Sequence, residues 1–417
     1  MKSKNFGISM VVLLLCWVSL FPLPPKEEYQ PIITIVPAVF FLALLLKRRF
    51  AIFKLSDFPL WIFLIAIGVN ILFARQRFWA LNAYLEIAPP LFFIYYLAKE
   101  ASISTSNFRT FAQTVCILSG LVALFGIFEA SFKFNPIYEY LMPNEYYQRY
   151  VSSLITRPMS TQFNPGVLGS FLLAWLPLSL FLHSDKNRNV RLISQVSLTL
   201  SIVVIILIFS RSALLGLLVI ATYYLYNQKK FRFIILPALI FLMVVLACSF
   251  LPYPFSKFGL RSLTYGENGL LSTYRLERFK MVFRMIWEHP WAGVGFQHFR
   301  IRFYEYYSGK SAVPYEKMIA DNMYLTILAE TGIIGFCSFV VFIVSLLKKG
   351  FQAIKVYDDQ RKNAIRAVIA GLISILIGMG GYELFYWPSP FFIFCILCGM
   401  LAGLSQKALN EQRNQTA

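Results

Sequence analysis

Long apolar stretches recur along nearly the whole chain, and they constrain the fold more than any other feature of the sequence. Each is about 17–22 residues long, enough for a helix rising 1.5 Å per residue to cross a hydrocarbon layer of roughly 30 Å. Of the 417 residues, 58% are hydrophobic, and the mean hydropathy is +0.62. This composition is too apolar for an ordinary soluble domain. We therefore predict an all-α integral membrane protein.

The apolar pattern predicts about twelve transmembrane helices. The predicted spans are 6–21, 31–46, 58–74, 78–98, 108–130, 166–183, 192–209, 212–226, 233–251, 323–347, 366–384 and 388–405. The first span begins like a secretion signal but runs into a proline-rich segment without a small-residue cleavage site. Lysine and arginine concentrate in the short loops that this count places on one side of the membrane. The positive-inside rule then predicts that both termini are cytoplasmic.

The spans divide the chain into four parts. Residues 1–251 contain the first nine spans, with an outer loop at 131–165. Residues 252–322 form a large outer loop that carries amphipathic helices. Residues 323–405 contain the last three spans, and residues 406–417 form a cytoplasmic tail. Since most of the non-membrane sequence lies in the two outer loops, we expect function there.

The tyrosines of the smaller outer loop allow two interpretations. They are Tyr138, Tyr140, Tyr146, Tyr147 and Tyr150. Tyrosine at such a position is typical of the aromatic belt at a membrane surface. Aromatic rings also stack on sugars, so the loop could instead contact a glycan.

Cysteine and histidine do not indicate a metal or disulfide site. All six cysteines fall in apolar stretches, where a thiol behaves as a small hydrophobic group. Cys395 and Cys398 form a C-x-x-C pattern, but no histidine is near them, so we interpret them as core residues. The chain has only three histidines. We expect no protein zinc site and no cofactor.

The charge balance indicates an anionic partner on the outer side. Lysine and arginine number 39 against 20 aspartate and glutamate residues, a net charge of +19. Many of the basic residues lie in the predicted outer loops, where the topology rule disfavours them. They could hold an anionic substrate there or contact lipid phosphates. Nothing in the pattern indicates nucleic acid.

Two outer segments each present an arginine at a helix end. In TRPMSTQFNPGVLGSF, Arg157 precedes a turn at Asn164 and Pro165, and we expect the next helix to begin there with unsatisfied amides pointing outward. Helix N-termini favour anions. In FSRSALLGL, Arg211 lies between two apolar stretches, so two helices must turn back around it. An arginine at that depth is expensive unless it is paired.

The third segment is STYRLERFKMVFRMIWEHPWAGVGFQHF, an amphipathic helix followed by a glycine-rich turn. Spacing at 100° per residue places its apolar residues on one face. That face comprises Leu276, Phe279, Val282, Phe283, Ile286 and Trp287. Arg275 lies within the apolar arc, so it either faces the membrane domain as a site residue or extends to water from the first turn. The helix ends at His289 and Pro290.

The fourth segment, ADNMYLTILAETGIIGF, opens the tenth span. Asp321 and Asn322 lie where either could cap the helix. Glu330 lies about two turns deeper on an apolar helix, and an ionisable group there suggests function. Glu86, Glu129 and Glu383 raise the same question less strongly.

In order and spacing, these segments resemble the O-antigen ligase and polymerase family of bacterial membrane glycosyltransferases. The resemblance rests on an arginine before an Asn-Pro turn, an S-R-S hairpin, H-P-W-A-G-V-G and N-x-Y-L-x-x-L-A-E-T-G, and it covers most of residues 150–340. It implies a twelve-helix, metal-independent GT-C-like fold in the bacterial cytoplasmic (inner) membrane. A helical outer loop would cover the site.

The resemblance also implies the substrates and the site residues. The donor would be an undecaprenyl-diphosphate-linked oligosaccharide, and the acceptor a glycan or glycolipid hydroxyl. Arg157, Arg211 and Arg275 would hold the diphosphate, because guanidinium groups bind phosphate oxygens in pairs. We group Asp321, Arg211, Arg275 and Glu330 as the catalytic set, and assign Asn322, His289 and Tyr324 to the acceptor or the loop. Membrane lipids, glycan-export proteins and chain-length-control proteins are further candidate partners.

One departure bears on the reaction. Ligases of the family usually have histidine where this sequence has Asp321, and polymerase-like members vary more. Asp321 could activate the acceptor hydroxyl or cap the helix. The sequence therefore favours a polysaccharide polymerase for O-antigen, capsule or exopolysaccharide over a ligase that transfers finished glycan to lipid A core. A flippase or transporter is the third alternative, although no internal repeat is visible.

Overall fold

The computed structural model describes most of the chain. The described residues are 6–20, 30–47, 57–102, 105–141, 157–228, 273–307 and 318–416, with single residues at 239, 243, 246 and 250. Over these ranges the chain forms helices and no strand. In chain order the α-helices are α1 (Phe6–Leu20), α2 (Gln30–Lys47), α3 (Phe58–Asn70), α4 (Arg77–Ala101), α5 (Thr105–Phe132), α6 (Pro136–Leu141), α7 (Pro165–Leu182), α8 (Arg188–Leu207), α9 (Arg211–Asn227), α10 (Thr273–Glu288), α11 (Phe303–Tyr306), α12 (Met323–Ile354), α13 (Asp359–Met379) and α14 (Pro388–Thr416).

Six of the helices in the described ranges are long and apolar enough to cross a membrane. They contain the segments Ser106–Phe132, Pro165–Leu182, Arg188–Leu207, Met323–Ile354, Asp359–Met379 and Pro388–Gln406. Helices also occupy the predicted spans near 6–21, 31–46, 58–74, 78–98 and 212–226. The predicted span 233–251 lies almost entirely outside the described residues. The membrane class is thus supported, and the total of twelve spans stays a prediction.

Two helices form the centre of the bundle. In α7, 83% of the apolar window is buried, and in α14 89%, against 28% in α8. Glycines permit this close packing, because a Cβ on Gly371 would lie 2.6 Å from Ala174 O, and one on Gly399 would lie 2.2 Å from Tyr95 O. Small residues at such contacts let membrane helices approach closely. The close packing of α7 and α14 against their neighbours therefore fixes the positions of the helices around them.

A buried ion pair joins the start of α3 to the end of α4. Lys99 Nζ lies 2.6 Å from Asp57 Oδ2, and both side chains are almost fully buried. The hydroxyls of Tyr95 and Tyr96 donate to the same carboxylate. Burying a charge is costly unless it is paired and hydrogen-bonded, as it is here. This network fixes the end of the bundle opposite the one described below.

The predicted boundary of the eleventh span is wrong. The prediction carries it to residue 384, whereas α13 ends at Met379 and a turn follows at 380–382. Two glycines explain the early end, because Gly380 and Gly381 cost more conformational entropy in a helix than other residues do. The turn 380–382 is central to the site.

Candidate active site

Three helices begin around the turn 380–382. Asn322 Nδ2, just before α12, donates to Gly380 O at 3.3 Å. A Cβ on Gly381 would lie 3.1 Å from the Cβ of Ser212, in the first turn of α9. The ring of Tyr382 lies directly against Gly166, in the first turn of α7. The N-termini of α7, α9 and α12 therefore meet at one end of the bundle, which we call the site end.

Each of these helices is capped by its own side chain. Asn164 Oδ1 accepts from Gly166 N at 2.7 Å and from Val167 N at 3.4 Å. Ser210 Oγ and Asn322 Oδ1 cap α9 and α12 in the same way. The expectation of unsatisfied amides after Asn164 is therefore wrong, because the asparagine occupies them. The positive ends of three helix dipoles still converge here, which favours an anion nearby.

Arg157 and Arg211 are both at the site end. Arg157 Nε donates to Ile208 O at 2.7 Å, so its guanidinium lies over the α8–α9 connection. Arg211 is the first residue of α9, only three positions further along. Phe209 turns the chain there with a φ of +51°. The structure thus brings together two arginines that are distant in sequence.

Glu129 orders the segment that carries Arg157. It is fully buried, and its Oε2 accepts from Met159 N at 3.1 Å and from Ser160 N at 2.5 Å. A buried carboxylate that accepts two backbone hydrogen bonds is a stable anchor for a loop. We therefore interpret Glu129 as a support for Arg157.

The third predicted arginine is placed only by its backbone. Arg275 is in the first turn of α10, and its side chain lies outside the described part of the chain. Arg278, one turn further along, is described and almost fully buried. Its Nη2 lies 3.0 Å from Asp321 Oδ2, and its Nη1 donates to Ile319 O at 3.0 Å. Sequence reasoning missed Arg278, although a residue three positions from Arg275 is its neighbour on the helix surface.

Asp321 does not cap α12, so that alternative is wrong. The cap is Asn322, whose side chain accepts from Leu325 N at 3.1 Å. Asp321 instead has a φ of +53°, an uncommon conformation for a residue with a side chain. Its carboxylate points toward α10 and Arg278. Asn322 also joins α12 to the turn 380–382, as described above.

A second carboxylate lies close to Asp321. Glu383 Oε1 accepts from Ala320 N and from Thr326 Oγ1, each at 2.8 Å. Burial raises the pKa of Glu383, and the charge of Arg300 partly opposes that effect. The sequence indicated Glu383 only weakly, because the residues around it do not form a recognisable motif. Glu383 therefore holds the backbone of the residue that precedes Asp321.

The segment PWAGVG binds a break in α12. Gly332 has φ +64° and ψ −170°, so the helix is interrupted there. In a continuous helix, Ile333 N and Ile334 N would bond to the carbonyls four residues earlier. They bond instead to Pro290 O at 2.8 Å and to Trp291 O at 3.3 Å. The loop therefore supplies the acceptors that the helix has lost.

The same break leaves two carbonyls of α12 for the loop. Val294 N donates to Ala329 O at 2.9 Å, and Gly295 N donates to Glu330 O at 3.0 Å. A Cβ on Gly293 would lie 2.3 Å from the carbonyl carbon of Glu330. This close approach is why the loop needs glycine. The helix and the loop exchange four backbone hydrogen bonds in all.

Glu330 lies at the centre of this junction. It is 1% exposed, and its Oε1 accepts from Phe299 N at 3.1 Å and from Tyr386 Oη at 2.7 Å. Asn70 Nδ2 donates to the backbone carbonyl of the same residue at 3.2 Å. Among the described residues, Glu330 contacts these groups rather than an arginine. We therefore interpret Glu330 as part of the loop attachment, and its catalytic role stays a prediction.

Arg300 and Tyr386 connect the loop to the site end. The Arg300 guanidinium lies 5.6 Å from the centre of the Tyr386 ring, a cation–π distance. Because Tyr386 donates to Glu330 and Glu383 lies three residues before it, the polar groups here form one continuous cluster.

His289 and Tyr324 have structural partners. Arg302 Nη1 donates to His289 Nε2 at 3.0 Å, which requires a neutral imidazole. Burial, with the charge of Arg302, lowers the pKa of His289. The Tyr324 hydroxyl donates to Leu376 O at 2.6 Å and ties α12 to α13. Their assignment to the acceptor or the loop stays a prediction, and these contacts fit the loop.

The apolar face predicted for α10 is only partly buried. Its buried face consists of Arg278, Met281, Val282 and Met285, whereas Leu276, Phe283 and Trp287 are exposed. Periodicity identifies the apolar side of a helix and not the direction of its neighbour, so the sequence did not indicate which part of this face is buried.

Comparison with known proteins supports a single family. A search of curated proteins found no match. Residues 196–340 match a protein-family model described as O-antigen ligase. The matched segment includes Arg211, α10, Asp321 and the break at Gly332. Residues 196–340 therefore form a domain of the O-antigen ligase family, and the family indicated by the sequence is confirmed.

Proposed function

We propose that this protein transfers a glycan from a lipid diphosphate to a sugar hydroxyl at the site end. The observation that carries the proposal is the convergence of Arg157, Arg211 and Asp321 around the turn 380–382, from three separate parts of the chain. The matched family, described as O-antigen ligase, supports a lipid-linked glycan and an acceptor as the substrates. The donor we propose is an undecaprenyl-diphosphate-linked oligosaccharide.

The reaction forms one glycosidic bond and breaks one bond to phosphate. The acceptor oxygen attacks the anomeric carbon from the face opposite the diphosphate, which leaves with the bonding electron pair. The configuration at that carbon is inverted. Negative charge therefore accumulates on the diphosphate as the bond breaks, and fixed positive groups lower the barrier to this step.

Arg157 and Arg211 would bind the departing diphosphate. Arginine stays charged at any working pH and presents paired donors that match phosphate oxygens. The converging helix N-termini add to the positive field. Arg275 is the third arginine that we propose for this role, since it begins the helix that also carries Arg278. On this proposal no metal ion is required.

Asp321 would accept the proton of the acceptor hydroxyl and release it to water. The side chain of Asp321 is 18% exposed, so a substrate can reach it, whereas that of Arg278 is 7% exposed. A general base must lie within hydrogen-bonding distance of the hydroxyl it activates. Burial leaves Glu330 and Glu383 less accessible. Asp321 is therefore our candidate base.

The acceptor determines whether the enzyme is a polymerase or a ligase. Aspartate in place of the histidine usual in ligases of the family leads us to propose a polymerase that joins repeat units. The alternative is a ligase that transfers finished glycan to lipid A core, and the family match does not distinguish the two. Both use the same donor and the same arginines, so the geometry of the site fits either.

Deleting the gene and separating the surface glycans by size tests the proposal. For a polymerase we expect glycans of a single repeat unit that are still attached to their anchor. Full-length polymer stranded on its lipid carrier would identify a ligase. Loss of outward-facing precursor would contradict glycan transfer and indicate a flippase.

Arg211→Lys tests phosphate binding by a guanidinium fork. Lysine keeps the charge but loses the paired donors, and a charged hydrogen bond contributes about 1.5–3 kcal/mol. We expect transfer to fall by at least about tenfold, since 1.4 kcal/mol corresponds to a factor of ten. Arg188→Lys, exposed at the other end of the same helical hairpin, is the control. Near-normal transfer in Arg211→Lys would contradict the proposed role.

A further inference from the structure

The helix α10 presents three different surfaces around its axis. At about 100° per residue, the side chains divide into a buried arc, an exposed apolar arc and a polar arc. The buried arc contains Met281, Val282 and Met285. It packs on Val294, Phe299 and Ala329 of the loop and α12. Protein contacts therefore cover one side of the described part of the helix.

The apolar arc continues beyond the protein contact. Phe283 is 59% exposed and Trp287 is 86% exposed. Trp291, just after the helix, is 69% exposed. Large aromatic side chains this exposed are unusual on a surface that faces water, and together they form a patch. This aromatic patch of Phe283, Trp287 and Trp291 requires a partner.

The aromatic patch adjoins the exposed apolar side of α12. Ile333 N and Ile334 N bond to Pro290 O and Trp291 O, so the backbone at the end of the patch lies beside these two residues. Ile333 is 47% exposed and Ile334 is 56% exposed, and both belong to a helix of membrane-spanning length. An exposed apolar side of a spanning helix faces lipid. The patch is therefore an extension of a lipid-facing surface.

The position along α12 gives the depth of the patch. Lys348 is exposed near the other end of the apolar part of α12, where lysine marks the membrane surface. Fifteen residues separate it from Ile333, roughly 22 Å of helix. Against a hydrocarbon layer of about 30 Å, Trp291 lies about 8 Å inside the opposite boundary. Helices that lie in a membrane surface bury their apolar face to a depth of about 5–10 Å.

The polar arc suits the water side of such a helix. It contains Lys280, Arg284, Glu277 and Glu288. Arg284 and Glu288 form an exposed pair at 3.9 Å, one turn apart. Basic residues next to an apolar arc also attract lipid phosphates.

We infer that α10 is a membrane-surface helix whose aromatic patch is embedded in the lipid of one leaflet. The partner is the phospholipid bilayer itself. A second copy of the chain would also cover the patch, but the continuity with the lipid-facing side of α12 and the depth of Trp291 both favour lipid. The inference goes beyond the proposed function, because it requires no glycan.

Photo-crosslinking in vesicles tests this inference directly. The photoreactive residue benzoylphenylalanine would replace Trp287 in one variant and Arg284 in another, because position 284 is exposed on the polar arc of the same helix. Each protein is reconstituted in phosphatidylethanolamine and phosphatidylglycerol vesicles, irradiated and analysed by peptide mass. We expect a phospholipid adduct at 287 with a yield at least about fivefold above that at 284.

Two other outcomes would overturn the inference. A protein–protein adduct at 287 would mean that a second copy covers the patch, and equal lipid yields at 287 and 284 would mean that the patch is not embedded. Quenching of tryptophan fluorescence by brominated lipids gives a second measurement on the intact protein. Trp287→Phe should remove a quenchable component, and a quenched fraction equal to that of the wild type would contradict the inference.

Discussion

The guanidinium of Arg278 lies 3.0 Å from the carboxylate of Asp321, and both belong to the segment matched by the O-antigen ligase family. The pair joins α10 to the residue that precedes the cap of α12. Arg278 also donates to Ile319 O, so it holds the backbone just before Asp321 as well. This arrangement fixes the direction of a carboxylate whose backbone φ is positive. We interpret Arg278 as a positioning residue.

Arg278→Met should disrupt transfer by releasing Asp321. Removing one partner of a buried ion pair costs about 3–5 kcal/mol, so we also expect a lower thermal midpoint in detergent. The double variant Arg278→Met with Asp321→Asn should recover much of the stability, because no buried charge remains unpaired, but none of the activity. Thermal unfolding and a transfer assay measure the two effects separately.

Arg284→Met provides the matched control on the same helix. Arg284 is exposed, and its pair with Glu288 is long, so we expect a change within about 0.5 kcal/mol. Full activity of the double variant Arg278→Met with Asp321→Asn would rule out Asp321 as the base. The pair of Arg278 and Asp321 would then have a purely structural role.

Glu330→Gln should retain most of the activity. Glutamine keeps an oxygen that can accept from Phe299 N and Tyr386 Oη, which are the contacts of the carboxylate. Glu330→Ala leaves these buried donors without an acceptor, at a cost of about 1–3 kcal/mol each. We therefore expect loss of stability and transfer in the alanine variant only. If Glu330 takes part in proton transfer, Glu330→Gln will be as inactive as Glu330→Ala.

Gly332→Ala should destabilise the junction between loop and helix. Its backbone conformation is essentially restricted to glycine, at a cost of order 1–3 kcal/mol for other residues. A Cβ would also lie 2.3 Å from Trp291 O. Gly120→Ala in α5 is the control, since its nearest contact would be an ordinary 3.5 Å. Limited proteolysis should show faster cleavage within 289–307 for Gly332→Ala, and equal rates in the two variants would contradict the structure.

Acid should loosen the attachment of the loop. Burial lowers the pKa of His298, whose Nε2 accepts from Gln76 N at 3.2 Å. The folded state therefore favours neutral His298. The stabilisation of the folded state is fully present above the ordinary histidine pKa of about 6.5, and it is lost as pH falls through the lowered pKa. His289 behaves in the same sense, because burial lowers its pKa too.

We expect amide exchange at 71–77 and 296–303, corrected for its intrinsic pH dependence, to increase between pH 7.5 and pH 5. The increase should be smaller in His298→Gln and absent when His289→Gln is added. An unchanged increase in the double variant would assign the effect to another group.

Much of the scaffold of the site could be predicted from the sequence. The Asn-Pro turn, the S-R-S hairpin and Asn322 mark the starts of α7, α9 and α12, because capping residues and turns leave local signals. The helices of membrane length could also be predicted, because the length of an apolar stretch indicates whether a helix can cross the hydrocarbon layer. These features depend only on neighbours in sequence.

The partnerships between distant segments could not be predicted. The pairing of Arg278 with Asp321 depends on the direction in which α10 packs, which periodicity does not contain. The break at Gly332 also gave no signal, because a single glycine in an apolar run is compatible with a continuous helix. Only the loop that binds it explains the break. Gly293 of the loop and Gly332 of α12 permit the same close contact, so the role of each is visible only when the two segments are seen together.

The exchange of backbone hydrogen bonds at Gly332 has a consequence for chimeric enzymes. The segments 290–295 and 329–334 each complete the backbone of the other, so neither has its full set of partners alone. A hybrid that takes its outer loop from one relative and α12 from another must therefore take both segments from the same parent. The natural unit of exchange between relatives is then the loop together with the first third of the helix that follows it.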